Sequence, residues 1–317
     1  MFGLKDDWAF ELPDRYFTLE DYEGGVARWC PGCGDLAVLT AVQKILRDEQ
    51  IPPELTVCVS GIGCSSRFPH YMKTYGFHGL HGRALPVACG VKSRRPDLDV
   101  WVATGDGDCC SIGAGHWVHA IRYNMDMVVM LFDNNVYGLT KKQSSPTSPK
   151  GLKTNTHPMG AWLPPLDPLS VVLGITNASF VAQTVDWNPM HLSATLRLAH
   201  QHEGLSFVRI LQRCPTYTAT VFEDLQKDPT KLLLLTGEGQ PALDASVARI
   251  FPNQTAHDRR DLGAARAAAE AGGPVPIGVL FQDESRPRYE DFTQQGLGMS
   301  NKAKLAALGK ELDRFAV

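Results

Sequence analysis

The chain has 317 residues, enough for one large domain or two small ones, and its hydrophobic fraction of 44% excludes a wholly disordered protein. Its 31 Lys and Arg residues nearly balance its 34 Asp and Glu residues, which argues against nucleic acid or an anionic membrane surface as the main partner. The longest strongly apolar run, 127–132, is far too short to cross a membrane.

The first 14 residues mix acidic, basic and apolar side chains. They lack the basic segment and apolar stretch of a secretory signal, so we expect a cytoplasmic protein. Its eight cysteines would then lie in a reducing compartment. Closely spaced cysteines in such a compartment are more often metal ligands or redox thiols than structural disulfides.

Predicted strands and helices alternate along most of the chain. Short apolar runs predict strands at 55–60, 100–103, 127–132, 179–184 and 205–211. Apolar spacing predicts helices at 38–45 with Asp35 as N-cap, at 114–121, and at 192–199 after an Asn188-Pro189 start. This order predicts an α/β fold with a doubly wound, mostly parallel sheet, whose ligands bind at the C-terminal ends of the strands.

Composition divides the chain into three parts. We expect an N-terminal segment at 1–28, an α/β domain at 29–217 and a C-terminal extension at 218–317. Within the domain, 140–165 is rich in Ser, Thr, Pro and Gly and predicts a long functional loop. The extension contains apolar runs at 232–235 and 275–281, a short helical pattern at 265–271 and a final helix from about Ser300.

Acidic and amide side chains follow two strands that should be neighbours in the sheet. The strand 100–103 leads into Gly-Asp-Gly-Asp at 105–108, and the strand 127–132 leads into Asp-Asn-Asn-Val-Tyr-Gly at 133–138. The Asp106 carboxylate, the Asn134 amide oxygen and the Val136 carbonyl suit Mg²⁺ together with phosphate oxygens. Simple turn geometry is the alternative for a lone Gly-Asp-Gly, and a calcium loop would need further acidic ligands.

Four cysteines lie near predicted strand ends or in a tight motif. Cys30 and Cys33 form Cys-Pro-Gly-Cys, which alone also suits a redox pair or half of a zinc or iron–sulfur site. Cys64 and Cys214 each follow a predicted strand. Together the four predict one thiolate site, for either zinc or a cubane iron–sulfur cluster. The other four are assigned to packing: Cys58, Cys89, Cys109 and Cys110.

Five motifs together resemble one family. They are Cys-Pro-Gly-Cys-Gly, Ser-Gly-Ile-Gly-Cys-Ser-Ser, His-Gly-Arg-Ala-Leu-Pro, Gly-Asp-Gly-Asp and Asn-Asn-Val-Tyr-Gly-Leu-Thr. In this order and spacing they resemble the beta subunits of 2-oxoacid:ferredoxin oxidoreductases, most closely the 2-oxoglutarate branch. The resemblance covers 29–217, extends more weakly to about 292, and implies the fold of the diphosphate-binding half of thiamine enzymes.

The resemblance also implies cofactors and their ligands. It implies Mg²⁺ at the site already described and one 4Fe–4S cluster on the four cysteines Cys30, Cys33, Cys64 and Cys214. It implies thiamine diphosphate contacts from Ile62, Gly63, Cys64, Ser65, Gly107, Asp108, Gly138 and Leu139.

The implied reaction is the oxidative decarboxylation of 2-oxoglutarate with coenzyme A to succinyl-CoA and CO₂. Electrons would pass through thiamine diphosphate and the cluster to ferredoxin, and a low-potential donor could drive the reaction in reverse as CO₂ fixation. The chain has one suitable α/β core, so a partner alpha subunit should supply the pyrimidine half and its Glu, in a heterodimer or α2β2 complex.

Several alternatives stay open from the sequence. Pyruvate or a branched-chain 2-oxoacid could replace 2-oxoglutarate as substrate. A non-redox thiamine decarboxylase subunit with structural zinc, or a non-catalytic electron-transfer subunit, would share some of the motifs. Arg67 is a candidate for binding a substrate carboxylate, with a solvated loop arginine as its alternative, and His81 for approaching the diphosphate.

Overall fold

The structure, a computed structural model, describes residues 15–293 and 300–315. The interpretation of the first 14 residues therefore lies outside the described part of the chain. Nowhere in that part is there a helix long and apolar enough to pass through a bilayer.

Nine strands form one sheet in the order β2-β1-β3-β4-β6-β5-β9-β7-β8. Neighbouring strands run parallel except β5 and β9, which pair antiparallel. The predicted doubly wound, mostly parallel sheet is confirmed. The strands are β1 (Thr56–Ser60), β2 (Tyr75–His78), β3 (Asp99–Gly105), β4 (Met127–Asp133), β5 (Phe180–Val185), β6 (Leu205–Leu211), β7 (Leu232–Thr236), β8 (Gln254–Ala256) and β9 (Val275–Gln282).

The central strands are buried on both faces, and alternate side chains enter two different cores. In β4, Met127, Val129 and Leu131 pack into one core, whereas Val128, Met130 and Phe132 pack into the other. In a strand, successive side chains point to opposite faces, so a run that is apolar at every position suits a sheet covered on both sides.

Helices cover both faces of the sheet. Helices α1 and α5 pack against each other, while α4 packs against α8 and α2 against α3. The ten α-helices of the described residues are α1 (Asp35–Asp48), α2 (Ala84–Arg94), α3 (Ala114–Tyr123), α4 (Pro168–Gly174), α5 (Pro189–Gln201), α6 (Glu223–Lys227), α7 (Ala245–Ala248), α8 (Leu262–Glu270), α9 (Tyr289–Thr293) and α10 (Asn301–Asp313).

The segments that followed a clear apolar pattern were predicted correctly. All five predicted strands are present within one or two residues, and the helices at α1, α3, α5, α8 and α10 are confirmed. The apolar runs at 232–235 and 275–281 form β7 and β9. The edge strands β2 and β8 were missed, since they are only four and three residues long and all their residues are exposed. Residues past 217 add three strands to the same sheet through the pairing of β9 with β5.

The predicted cap of α1 was wrong. Asp35 is the first residue of the helix, and Gly34 is the N-cap. The backbone N–H of Gly34 donates to the carbonyl of Arg213 at 3.3 Å, and a Cβ at this position would overlap the Asp186 carboxylate. Gly34 therefore takes the cap position, and the helix begins one residue earlier than an Asp35 cap would require.

Candidate functional site

A cavity of about 140 Å³ opens at the C-terminal ends of three adjacent strands, β1, β3 and β4. The turns that follow these strands meet there because parallel strands present their carboxyl ends at one edge. The cavity is lined by all twelve residues predicted for magnesium and thiamine diphosphate: Ile62, Gly63, Cys64, Ser65, His81, Asp106, Gly107, Asp108, Asn134, Val136, Gly138 and Leu139.

Glycines allow these turns to approach one another. A Cβ at Gly107 would overlap the ring of Tyr137, whose hydroxyl donates to the Gly107 carbonyl oxygen at 3.1 Å. A Cβ at Gly61 would overlap the Asp108 carboxylate. The turns after β1, β3 and β4 therefore need small residues at these close backbone approaches.

The loop at 140–165 holds the Asp106 carboxylate. Oδ2 of Asp106 accepts hydrogen bonds from the hydroxyls of Ser145 at 2.5 Å and Thr147 at 2.7 Å. Burial, and secondarily the nearby Asp133 carboxylate, raise the pKa of Asp106 to about 7. The loop was predicted to be functional from its composition, but the contact of Ser145 and Thr147 with Asp106 was not predicted.

Contacts on both ends of its amide group orient Asn134. Its Nδ2 donates to Oε1 of Gln212 at 2.7 Å, and its Oδ1 accepts from the backbone N–H of Val136 at 3.2 Å. The amide oxygen of Asn134 therefore lies on the Val136 side. This orientation suits the prediction that this oxygen and the Val136 carbonyl oxygen bind the same Mg²⁺ ion.

Asp108 joins three of the turns that line the cavity. Its Oδ1 accepts from the backbone N–H groups of Ile62 at 3.1 Å and Gly82 at 2.7 Å, and Nδ1 of His81 lies 2.5 Å from the same oxygen. Its Oδ2 accepts from the hydroxyl of Thr104 at 2.8 Å. The Asp108 side chain thus fixes the β1 and His81 turns, a role that sequence reasoning did not assign to it.

The four cysteines predicted as one site line an adjoining cavity of about 180 Å³: Cys30, Cys33, Cys64 and Cys214. Cys64, Asn134, Gly138 and Leu139 line both cavities. A Cβ placed on Gly138 would lie 3.5 Å from Sγ of Cys64 and 4.0 Å from Sγ of Cys214. The two cavities therefore share one wall, built from the turns after β1 and β4.

Trp29 attaches the Cys30 loop to the rest of this site. Its Nε1 donates to the carbonyl oxygen of Cys64 at 2.7 Å, and its ring packs edge-on against Tyr71 at 4.7 Å. Since Trp29 is one residue from Cys30, this contact holds that cysteine's loop over the end of β1. Sequence reasoning missed Trp29, because only the folded chain brings it to Cys64.

Burial shapes the chemistry of the thiols. It raises the pKa of Cys64 to about 12 and the pKa of Cys33 well above its usual range, with neighbouring acidic groups adding to both shifts. Cys58, Cys109 and Cys110 are buried in the two hydrophobic cores, as predicted. Cys89 is partly buried and packs against the core that contains Cys109 and Cys110.

Arg67 lines the cysteine cavity beside Cys64. Its guanidinium donates to the carbonyl oxygen of Arg28 at 2.9 Å and lies 5.8 Å from the centre of the Tyr71 ring. These two contacts hold the Arg67 side chain at the rim of the cysteine cavity, next to the wall that both cavities share.

The types of donor at the two cavities suit the two groups that the sequence predicts. Across residues 15–293 and 300–315, however, no three His, Cys, Asp or Glu side chains already converge on one point as a metal site, so the four thiols line their cavity without forming a preassembled site. One carboxylate with amide and carbonyl oxygens suits Mg²⁺, which takes its remaining ligands from phosphate and water. Four thiols around one cavity are the usual ligands of an iron–sulfur cubane.

The fold, with the turns gathered at the C-terminal ends of β1, β3 and β4, is similar to that of thiamine diphosphate-binding domains. Residues 61–210 match the family described as "Thiamine pyrophosphate enzyme, C-terminal TPP binding domain". This range contains the turns after β1, β3 and β4.

Comparison with individual proteins narrows the class. A 2-oxoacid:ferredoxin oxidoreductase subunit beta from Sulfolobus sp is 39% identical over 266 residues, 83% of this chain and 84% of that protein. A 2-oxoglutarate oxidoreductase subunit KorB from Mycobacterium tuberculosis is 48% identical over 201 residues, 63% of this chain but only 54% of that protein. The chain belongs to the family of 2-oxoacid:ferredoxin oxidoreductase beta subunits, and it is therefore an oxidoreductase subunit.

A solved structure supports this assignment. The 2-oxoglutarate:ferredoxin oxidoreductase from Magnetococcus marinus, with 2-oxoglutarate, coenzyme A and succinyl-CoA bound, superimposes with a TM-score of 0.77 and 36% identity. The match covers 92% of this chain and 96% of that chain. The resemblance stated from the motifs is confirmed, and the family favours a redox enzyme over a decarboxylase with structural zinc.

Proposed function

We propose that this chain is the beta subunit of an enzyme that oxidises 2-oxoglutarate and coenzyme A to succinyl-CoA and CO₂. The reaction releases one proton to solvent, and its two electrons pass to ferredoxin. With a low-potential donor the same enzyme fixes CO₂. The observation that carries the proposal is the shared wall of the two cavities, since Cys64 and Gly138 line both.

The chain's own groups bind the diphosphate end of the cofactor. Asp106, Asn134 and the Val136 carbonyl hold Mg²⁺, and Gly107 and Gly138 leave room for the phosphates. Thiamine diphosphate, when bound, supplies the carbon nucleophile and the electron sink for the decarboxylation of a 2-oxoacid. The further contacts come from Ile62, Gly63, Cys64, Ser65, His81, Asp108 and Leu139.

The four thiols hold the electron-transfer group. Cys30, Cys33, Cys64 and Cys214 are the ligands of one 4Fe–4S cluster, which supplies one-electron transfer when bound. Cys64 lines both cavities and would therefore connect the two groups. Cys30 is exposed, so we expect ferredoxin to approach from its side of the cluster.

A partner subunit completes the enzyme. An alpha subunit supplies the pyrimidine-binding half and the Glu that activates thiamine, in a heterodimer or α2β2 assembly. The beta-subunit names of the relatives support such a partner. We further propose that the complex acts in the cytoplasm.

The substrate proposal rests on relatives and on one arginine. One relative is named for 2-oxoglutarate, and the structural neighbour carries 2-oxoglutarate in its title. This substrate has a second carboxylate that pyruvate lacks. Arg67, at the rim beside Cys64, is the residue proposed to bind that carboxylate.

Loading of the purified complex tests the proposal. We expect the anaerobic complex of this chain with its alpha subunit to contain thiamine diphosphate, Mg²⁺ and four iron and four sulfide per beta chain. Asp106→Asn should lose most of the thiamine diphosphate but keep the iron, because it removes only the carboxylate ligand. Cys214→Ala should lose most of the iron but keep the thiamine diphosphate.

Two results would contradict the proposal. One is a wild-type complex with zinc and no sulfide. The other is an Asp106→Asn complex that retains wild-type thiamine diphosphate, which would mean that the cavity beyond β3 does not hold the cofactor. Cys89→Ala is the control for thiol removal, since Cys89 packs against the core away from the four-cysteine cavity.

A further inference from the structure

We propose that Gln212 is a positioning residue that joins the two cofactor sites, setting the orientation of Asn134 and the reduction potential of the cluster. The inference rests on the proposed cluster and magnesium sites. Gln212 follows β6 directly and is 1% exposed. It was not among the residues singled out from the sequence.

The oxygen of the Gln212 amide acts on the magnesium side. Oε1 accepts from Nδ2 of Asn134 at 2.7 Å, and both side chains are buried. Because its NH₂ group is taken by Gln212, the Asn134 amide keeps its oxygen toward Val136. Without this acceptor the amide could rotate and present NH₂, a donor, where a cation needs an oxygen.

The nitrogen of the same amide acts on the cluster side. Nε2 of Gln212 donates toward Sγ of Cys33 at 3.4 Å and also to the carbonyl oxygen of Arg213. The oxygen is fixed by Asn134, so the NH₂ group must face Cys33. An N–H aimed at a ligand sulfur stabilises the reduced cluster more than the oxidised one, because reduction adds negative charge.

The backbone makes this bridge rigid. The N–H of Gln212 donates to the carbonyl oxygen of Asp133 at 3.0 Å, continuing the pairing of β6 with β4. Gln212 is therefore held beside the residue that precedes Asn134. Its side chain also lines the four-cysteine cavity, so one buried amide contacts both donor sets.

Two variants separate the two halves of this role. Gln212→Met has a similar shape but neither donor nor acceptor. Gln212→Glu keeps an acceptor for Asn134 and loses the donor to Cys33. Gln183→Met is the matched control, since Gln183 is equally buried but its Nε2 donates to the Pro276 carbonyl oxygen, away from both cavities.

The test uses the anaerobic complex with the alpha subunit. The cluster's midpoint potential is measured by a redox titration followed by electron paramagnetic resonance. Thiamine diphosphate affinity is measured by calorimetry with Mg²⁺ present. We expect a more negative potential in both Gln212 variants. The thiamine diphosphate dissociation constant should rise at least about tenfold in Gln212→Met and stay near the wild-type value in Gln212→Glu.

The outcomes are distinguishable. Wild-type potential in both Gln212 variants, or wild-type thiamine diphosphate affinity in Gln212→Met, would overturn the inference while leaving the proposed function intact. Equal changes in Gln183→Met would show a general loss of packing instead, and would also overturn it. A wild-type complex without a cluster would contradict the proposed function itself. If Gln212→Met does not assemble, the potential of Gln212→Glu decides.

Discussion

Asp106 and Asp133 lie at neighbouring strand ends and share one hydroxyl group. Oγ1 of Thr147 is 2.7 Å from an oxygen of each carboxylate, although it has only one hydrogen to donate. Arg209 neutralises Asp133 through an ion pair at 2.7 Å. Asp106, which has no such ion pair among the described residues, is the carboxylate of the two that lines the cavity. A cation bound in the cavity would offset the cost of burying the Asp106 charge.

Removing the Arg67 guanidinium tests its proposed contact with substrate. We expect Arg67→Met to raise the KM for 2-oxoglutarate about tenfold to a hundredfold, with a smaller change in kcat, because a charge-assisted hydrogen bond contributes about 1.5–3 kcal/mol. Arg67→Lys should restore part of the loss, since lysine keeps the charge but not the bidentate geometry. Steady-state kinetics of the loaded complex provide the measurement.

Arg28→Met is the control for this prediction. Arg28 lines the same rim, and only its backbone carbonyl contacts Arg67. If Arg28→Met raises KM as much as Arg67→Met, the effect is general electrostatic attraction. An unchanged KM in Arg67→Met would rule out the proposed carboxylate contact.

The residues that could be found from the sequence are those whose chemistry is visible in a local pattern. Asp106, Asn134 and the four cysteines each belong to a short motif or follow an apolar strand. Trp29, Thr147 and Gln212 could not be found in this way. Their roles depend on contacts across 35, 41 and 78 positions of the chain, respectively, which only the fold creates.

At the scale of elements, α5 is joined to both α1 and β3 by one histidine. His200, in the last turn of α5, lies with Nδ1 2.8 Å from Glu49 at the end of α1 and with Nε2 3.2 Å from Asp99 in β3. Its ring also stacks on Trp101. Burial opposes the charge, but the hydrogen bonds and charges of Asp99 and Glu49 outweigh it and raise the pKa to about 9.

This pKa predicts a pH-dependent contribution to stability. A histidine whose pKa rises on folding stabilises the fold fully below its unfolded pKa of about 6.5, and this contribution is lost as the pH rises through about 9. The loss between pH 7 and 9.5 should be about 2–3 kcal/mol. We therefore expect His200→Gln to lower the Tm of the loaded complex at pH 7 and to have little effect at pH 9.5.

His191→Gln is the matched control. Burial lowers the pKa of His191 to about 3, so this residue is neutral in the fold across that pH range. Its replacement should lower the Tm by an amount that does not change between pH 7 and 9.5. A His200→Gln effect that is equally constant would contradict the charged state of His200.

The elements differ in how well their sequences predict them. Strands β3, β4 and β6 carry apolar side chains on both faces, so their pattern is continuous and clear. Strand β2 is an edge strand with four exposed residues, and its partner β1 rather than its own composition makes it a strand. Tertiary pairing of this kind leaves no signal in a single sequence.

At the scale of the whole molecule, one edge of the sheet carries both cavities and therefore both proposed cofactor sites. The strands β1, β3, β4 and β6 are consecutive neighbours, and the turns after them contribute Cys64, Asp106, Asn134 and Cys214. The three C-terminal strands extend the sheet on the far side of β5, away from this edge. The fold thus separates the part that adds sheet area from the part that contains the two cavities.

The proposed function requires that electrons from a 2-oxoacid reach a cluster held by this chain. The most direct measurement follows the visible absorbance of the anaerobic complex with its alpha subunit and coenzyme A, after addition of 2-oxoglutarate or pyruvate separately. We predict bleaching by 2-oxoglutarate and little by pyruvate. Bleaching by pyruvate alone would contradict the substrate, and no bleaching by any 2-oxoacid, in a complex that holds iron and thiamine diphosphate, would contradict the function.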